Sequence, residues 1–497
     1  MAVKTIIDTV SILKDALSSG QGAKYKRLAG AMEVRILEGS IEAGSKLPPH
    51  RHLADRLGVT IGTVSRAYSE LERMGLVMAR VGDGTFVRQC GLEHKRDDDF
   101  SNFIDEVPDQ YDMSRNMHIP GAETSLLAQS LMELAKDNQA LQELTLYNPD
   151  AGLPRYRQAG ATWLAHGNFR PQAEQVLCTN GGQHGLLCTL MAVLRAGDTI
   201  VTEQLTYPGL ITAARMLGIK LLGAEMDEEG ITPASIDELC QHNRVSAIYC
   251  TPTLQNPTTC VLSSPRREAI VEICRKHNLL IIEDEAHAIL VEDRAPPLSF
   301  FAPERSILIS SLSKAVAAGL RVGFLHAPTT LLSRITAALR ASCWMATPLA
   351  MELATHWIEE GTAEKLLRDQ IAEIIRRKAL VQGLLDGFTY RTHPQSPHFW
   401  IEVPEPWRAS DIETDLKLKN YLITTAEAFA VGRAAVPQFI RASVTNASHD
   451  DQLLRMGFQT IANTLRQGST QFEGELILPS NSGHWFKRSF EIQRPQD

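Results

Sequence analysis

No stretch of this chain holds enough consecutive apolar residues to cross a bilayer, and the richest run, Leu186 to Leu194, suits only a buried core segment. Cysteine is sparse and scattered. Eight residues lie between Cys90 and Cys343 without a C-x-x-C pair, which excludes a zinc cluster of the common kind and a disulfide framework, and points to the reducing, cytoplasmic compartment. The first twenty residues lack the uninterrupted apolar centre of a secretory leader. Val3, Ile6, Ile7, Val10, Leu13 and Leu17 recur at helical spacing around Asp8 and Asp15, so an additional amphipathic helix is expected over 1–23. No G-x-x-x-x-G-K-[ST] loop occurs either, and Asp284-Glu285-Ala286-His287 is therefore not a helicase box.

What is present is an ordinary soluble composition, 44% apolar and 22% charged, over 497 residues, more than one hydrophobic core normally organises. The net charge of −8 is unevenly spread: from Lys24 to Arg88 eleven Lys and Arg stand against seven Asp and Glu, leaving +4 there and −12 on the remainder. A basic module on an acidic body is expected where one end approaches phosphates and the other does not.

Within that module Tyr25, Leu28, Ala29, Met32 and Ile36 recur at helical spacing, and the Gly39 to Pro49 stretch ends the helix. A short helix over 50–57 turns Leu53, Ala54 and Leu57 to one face. Gly58 supplies a turn, and Thr60 caps a third helix with core face Val64, Ala67, Tyr68 and Leu71. The segment from Leu76 to Val87 alternates around Gly82-Asp83-Gly84 and predicts a hairpin. Two short helices split by a glycine turn, followed by a hairpin, make a winged helix-turn-helix. Its recognition helix would present Thr60, Ile61, Gly62, Thr63 and Arg66 to the major groove, with Arg51, Arg80 and Arg88 toward phosphates. A purely structural three-helix module with solvated arginines is the alternative.

Residues 89–111, with HKRDDD and few apolar side chains, read as an exposed connector. Beyond it, β-rich apolar runs at 175–179, 199–202, 220–223, 246–250, 279–282, 307–310 and 323–326 alternate with longer helical stretches, predicting a mostly parallel sheet wrapped by helices. Chemistry in such folds collects past the carboxyl ends of strands. There stands Ser310-Ser311-Leu312-Ser313-Lys314, with Arg321 seven residues on: an amine able to form an imine with an aldehyde, beside hydroxyls and a guanidinium suited to a phosphate dianion. A lone lysine there would ordinarily be solvated, so its companions carry the argument. Asp284 ends another run, where a carboxylate can keep a pyridine nitrogen protonated. Asn256, in Thr251-Pro252-Thr253-Leu254-Gln255-Asn256-Pro257-Thr258, can donate to a phenolate oxygen, although Asn-Pro is more often a turn. Thr179-Asn180-Gly181-Gly182-Gln183 opens a helix near His184 whose N–H groups suit phosphate. Tyr207 can stack on a ring. Arg441, in an apolar stretch, can pair with a substrate carboxylate or form an internal salt bridge.

The strings LPPHRHLADRLGVTIGTVSRAYSELERMGLV and VGDGTFV resemble the GntR family of regulators over about 65 residues, except that Ile61 occupies a position where that family usually carries Arg. The later motifs, in their order over 112–466, resemble the fold-type-I pyridoxal-phosphate enzymes of the aspartate aminotransferase superfamily. Together they look like the MocR-type subgroup of GntR regulators. The resemblance implies a winged helix-turn-helix (24–88) joined to an α/β domain (112–466) with a smaller C-terminal α+β subdomain and a tail over 467–497. It implies pyridoxal 5'-phosphate on Lys314, with Asp284 at the pyridine nitrogen, Asn256 at the phenolic oxygen, Tyr207 on the ring, and Gly182, Gln183, Ser311, Ser313 and Arg321 at the phosphate. Arg441 would take a substrate carboxylate, and Tyr147 would reach the phosphate of a second subunit in a homodimer with shared sites. Family tyrosine, glycine and proline positions are filled by Ala286 and His287, Thr259, and Ala318, and Pro397-His398 replaces a glycine pair. His287 thus joins the cofactor-site candidates. The implied function is a regulator binding an operator in double-stranded DNA, with pyridoxal phosphate or an amino compound as effector; a working aminotransferase with a DNA-binding appendage is the alternative.

Overall fold

Apolar residues at three- and four-residue spacing build the N-terminal unit of the computed structural model, which describes residues 13, 23–37, 40–41, 45–73, 76–80, 84–87, 110–405, 407–432 and 436–470. The chain divides into a unit spanning Met1–Val107 and one spanning Pro108–Asp497. Helices α1 (Lys24–Leu37), α2 (His50–Leu57) and α3 (Ile61–Arg73) turn Leu28, Ala29, Met32, Ile36, Leu53, Ala54, Leu57, Val64, Ala67, Tyr68 and Leu71 into one core, which Leu13 joins. Gly58 ends α2 in the left-handed region at φ 66°, its N–H bonded to Ala54 O, which lets the chain reverse within a few residues. Thr60 caps α3 by accepting the Thr63 N–H at 3.3 Å. The hairpin pairs β1 (Val77–Arg80) with β2 (Gly84–Val87) antiparallel, Val77 facing Val87. Most of the helix expected over 1–23, residues Val81 to Asp83, Arg88, the connector over 89–109 and the tail over 471–497 lie outside the described residues, as does the side chain of Arg80.

The large unit opens with β3 (Tyr111–Asp112) and then forms a seven-stranded sheet from β4 (Val176–Thr179), β5 (Thr199–Glu203), β6 (Lys220–Ala224), β7 (Ala247–Cys250), β8 (Leu280–Asp284), β9 (Ser306–Ser311) and β10 (Gly323–His326), in the order β4-β10-β9-β8-β7-β5-β6. β10 runs antiparallel to β4 and β9, and the other pairs are parallel. Ile200, Val201, Ile281, Ile282, Ile307, Leu308 and Ile309 are all buried, because helices cover both faces; hence the runs are continuous rather than alternating. Since β10 opposes both neighbours, β4, β7, β8 and β9 end at the same edge. Register there sets Thr179 and Ser311 on either side of Gly323.

A second, antiparallel sheet follows, ordered β11 (Tyr390–Arg391), β12 (His398–Glu402), β15 (Phe439–Ser443) and β14 (Thr424–Thr425); β13 (Tyr421–Leu422) pairs instead with β3. Phe399, Ile401, Ile440 and Ala442 pack beneath the helix Asp451–Thr470 through Leu454, Phe458, Ile461 and Leu465. Among the described residues no helix is long and apolar enough to cross a membrane, no group of His, Cys, Asp or Glu could hold a metal ion, and seven cysteines are free thiols.

Candidate functional site

Strand β8 delivers three consecutive acids, and their partners separate them. Glu283 accepts the backbone N–H groups of Leu298 and Ser299, both at 2.7 Å. Glu285 faces the buried Arg267 at 3.6 Å and Thr253 Oγ1 at 3.3 Å. Asp284 lies between them. It accepts the Tyr249 hydroxyl at 2.9 Å and the Ala286 N–H at 3.0 Å, and burial raises its pKa against those bonds and the nearby Lys314 amine.

Lys314 follows β9 and donates its amine to the carbonyl of Asn116 at 2.5 Å. The amine lies deep in the unit although part of the side chain is accessible. Burial lowers its pKa to about 8, helped by the charges of Arg441 and Arg321 and opposed by Asp284. Desolvation disfavours the charged form, so this lysine is far closer to a free base at neutral pH than an ordinary one.

Past β4, Gly181 has φ 84°, and a Cβ there would lie 2.6 Å from Arg321 Nη2, so only glycine lets the guanidinium come this close to the backbone. Helix α4 (Gly182–Val193) begins at Gly182, two residues before the start read from sequence, and Gly182 faces the Ser311 side chain. Gln183 donates to Gly209 O at 3.2 Å, and Arg321 reaches Ser313 Oγ at 3.4 Å. Tyr207 precedes helix α5 (Pro208–Met216); burial raises its phenol to about 12, and it feels the charges of Asp284, Arg321 and Arg441.

On the second sheet, Arg441 donates to Asn256 Oδ1 at 2.6 Å and to the carbonyl of Ser114, and its guanidinium stands over Phe429, 4.9 Å from the ring centre. No carboxylate among the described residues forms an ion pair with it, so the internal salt bridge kept open as an alternative is not formed there. The loop bearing Asn256 is held by Gln255, which donates to Leu205 O at 2.6 Å and accepts from Thr258. Thr259, at a family glycine position, adopts φ 63°, a conformation uncommon for a β-branched residue.

Lys314, Asp284, Asn256, Gly182, Gln183, Tyr207, Ser311, Ser313, Arg321, His287 and Arg441 thus gather in one region. Tyr147 does not. It is 80% exposed and leans on Trp344 with ring centres 5.5 Å apart. Sequence reasoning missed Tyr249, Asn116 and His398. Asn116 Nδ2 lies 2.9 Å from His398 Nδ1 and 3.5 Å from His287 Nε2, while His398 Nε2 meets Pro257 O at 2.8 Å. Since a carbonyl only accepts, Nε2 of His398 carries its proton and Nδ1 accepts from Asn116. Burial drives both imidazoles well below the ordinary histidine value, so they are neutral. Tyr249 sits in a strand where alternation alone could have aimed it beside Asp284; nothing near Asn116 in sequence signals its role.

In the N-terminal unit the start of α3 and one face of α2 are exposed: Thr60, Ile61, Gly62, Arg66 and Arg51 face solvent, with Thr63 half-buried. His50 Nδ1 to Ser65 Oγ at 3.0 Å and Tyr68 OH to Pro48 O at 2.8 Å fix α3 against α2 and the turn before it.

Comparison with known proteins agrees with both units. Residues 111–461 match the aminotransferase class I and II family, and residues 24–87 match the GntR family of bacterial regulatory proteins. An uncharacterised HTH-type transcriptional regulator of Bacillus subtilis, YdeF, is 28% identical over 87% of this chain and 92% of its own. YjiR of Escherichia coli, also an uncharacterised HTH-type transcriptional regulator, is 26% identical over 77% of this chain and 86% of its own. A crystal structure of an archaeal alanine:glyoxylate aminotransferase superposes with a TM-score of 0.67 at 20% identity, over 75% of this chain and 94% of that one. A kynurenine aminotransferase of Pyrococcus horikoshii gives 0.68 at 17% identity, over 76% and 95%; at such identities the likeness concerns fold. The chain therefore belongs to the aminotransferase class I and II family in its large domain and carries a GntR-type helix-turn-helix before it, the combination of the MocR-type transcriptional regulators.

Proposed function

We propose that this regulator binds pyridoxal 5'-phosphate through Lys314 and reads the cofactor, alone or combined with an amino compound, as its effector. The observation that carries the reading is the Lys314 amine, brought to about 8 by burial and set among Asp284, Arg321 and Arg441. The residues present fit the group. Gly181 leaves room for Arg321 at a cradle completed by Gly182, Ser311 and Ser313, and Thr251 Oγ1, Gln183 Oε1 and Arg441 Nε are buried polar atoms without a partner in the chain. When bound, the cofactor supplies an aldehyde for an amine and a ring that withdraws electrons.

The chain's residues do the rest. Arg321, Ser311, Ser313, Gln183 and the first N–H groups of α4 hold a phosphate, Asp284 a pyridine nitrogen and Asn256 a phenolic oxygen, while Tyr207 covers the ring and His287 borders it. Arg441, lacking an anionic partner, takes the carboxylate of an amino acid. Two copies share their sites through Tyr147, whose exposure beside Trp344 and Leu146 suits a surface awaiting a second subunit. At the other end Thr60, Ile61, Gly62, Thr63 and Arg66 enter the major groove of an operator, with Arg51 and Arg80 toward its backbone. The protein acts in the cytosol, consistent with the seven free thiols among the described residues.

Regulation requires that ligand bind two arrangements of the protein with different affinity. The test is a titration of full-length protein with pyridoxal phosphate, followed by visible absorbance, borohydride trapping and binding to its own upstream DNA. A trapped adduct lost in Lys314→Ala, together with DNA affinity altered by cofactor or by cofactor plus an amino acid, is expected. No adduct at saturating cofactor would overturn the reading. Sustained keto-acid formation with unaltered DNA affinity would favour the aminotransferase alternative, for which the convergence of Lys314, Asp284 and Arg441 also speaks.

A further inference from the structure

At the tip of α3 the polar side chains are already engaged. Thr60 Oγ1 and Thr63 Oγ1 lie 2.9 Å apart, and Thr60 also accepts the Thr63 N–H. Ser65 is tied to His50 Nδ1, and Gly62 has no side chain. The first long side chain on the exposed face is Ile61, 49% exposed, and the next is the Arg66 guanidinium, more than a turn further along the helix. Ile61 lies beside the buried stripe of Val64, Ala67, Tyr68 and Leu71, yet at the first position of the helix it stays outside the core those residues fill.

A helix-turn-helix reads bases with the N-terminal residues of its second helix. Ile61 therefore meets the major groove with a branched hydrocarbon that can neither donate nor accept a hydrogen bond. Among the groups base pairs expose in that groove, one is apolar: the C5-methyl of thymine. Against a guanine or adenine edge, Ile61 would strip water from N7 and O6 or N6 and return nothing.

We infer that Ile61 is a specificity-determining residue that selects thymine through its 5-methyl group. The inference rests on the DNA-binding assignment of this domain and adds what that domain reads. Burying one methyl against Ile61 favours thymine over the same base without it by about fourfold.

The test begins with full-length protein, with and without pyridoxal phosphate, enriching a pool of randomised duplexes. Each thymine of the enriched site is then replaced singly by deoxyuridine, which keeps every hydrogen-bonding group and removes only the methyl. The wild-type protein is expected to lose about fourfold in affinity at one thymine per contacted half-site. Ile61→Ala should bind thymine and uracil there alike, and Ile61→Val, which keeps the branch, should retain part of the preference. Indifference of the wild type to uracil at every position would overturn the inference alone, as would a preference undiminished in Ile61→Ala. A pool that never enriches would overturn the DNA-reading assignment itself, and this inference with it.

Discussion

The pH dependence of cofactor capture by Lys314 tests the site most directly. An ordinary lysine, near 10.5, is unprotonated in about one molecule in 3,000 at pH 7; one at about 8 is unprotonated in about one in ten, a gain of about 300-fold in reactive amine. Capture measured by stopped-flow absorbance on the cofactor-free protein should rise about tenfold per pH unit below 8 and level off above it. The neighbours fix the sign of each perturbation. Arg441 lowers the lysine's pKa, so Arg441→Gln should move the bend upward; Asp284 raises it, so Asp284→Asn should move it downward. Between the two values the unfolded chain holds more protons at this lysine than the folded one, so its contribution to stability improves as pH rises from 8 toward 10.5. A bend at or above 10, or one that neither substitution moves, would refute the claim that burial among these charges activates the amine.

Gly181→Ala should weaken retention of pyridoxal phosphate at least tenfold by equilibrium dialysis, since its Cβ would stand 2.6 Å from Arg321 Nη2 and its backbone, at φ 84° and ψ 168°, lies in a region essentially confined to glycine that costs an L-residue about 1–3 kcal/mol. Gly160→Ala should instead destabilise the large domain by about 1–3 kcal/mol in thermal unfolding, because its Cβ would meet Phe324 Cδ1 at 2.4 Å. In Tyr249→Phe, Asp284 loses one of its two hydrogen bonds, so its pKa should rise further and the bound cofactor's spectrum should change at a higher pH than in wild type; an identical titration would count against the Tyr249 contact. Thr60→Ala, which removes the cap of α3, should cost about 1 kcal/mol of N-terminal domain stability, read from its own unfolding transition.

The helix-turn-helix was fully legible where apolar spacing speaks: each predicted core position of α2 and α3 is buried, and Gly58 and Thr60 end and start helices as their chemistry dictates. The strands of the large sheet were legible for the same reason, but their direction was not. Gly323 to His326 reads like its parallel neighbours because a strand buried on both faces is apolar whichever way it runs, yet it is the antiparallel member that brings Thr179 and Ser311 together. Site residues that sit in local motifs, such as Lys314 and Asn256, could be named in advance. Asn116 could not: its carbonyl meets Lys314 and its amide meets His398 across 198 and 282 residues of chain, and no local pattern encodes a contact of that range.

The three adjacent acids at the end of β8 answer to different masters, and that has an evolutionary reading. Glu283 holds backbone amides and Glu285 accompanies a buried arginine, so either change harms folding whether or not a ligand is ever bound. Asp284 carries a lighter duty, the N–H of Ala286 two residues on and the Tyr249 hydroxyl. In a descendant that abandons the cofactor, selection on positions 283 and 285 persists while position 284 is released to drift. A single codon flanked by two frozen ones then becomes a marker, readable in any relative, of whether that lineage still carries its ligand.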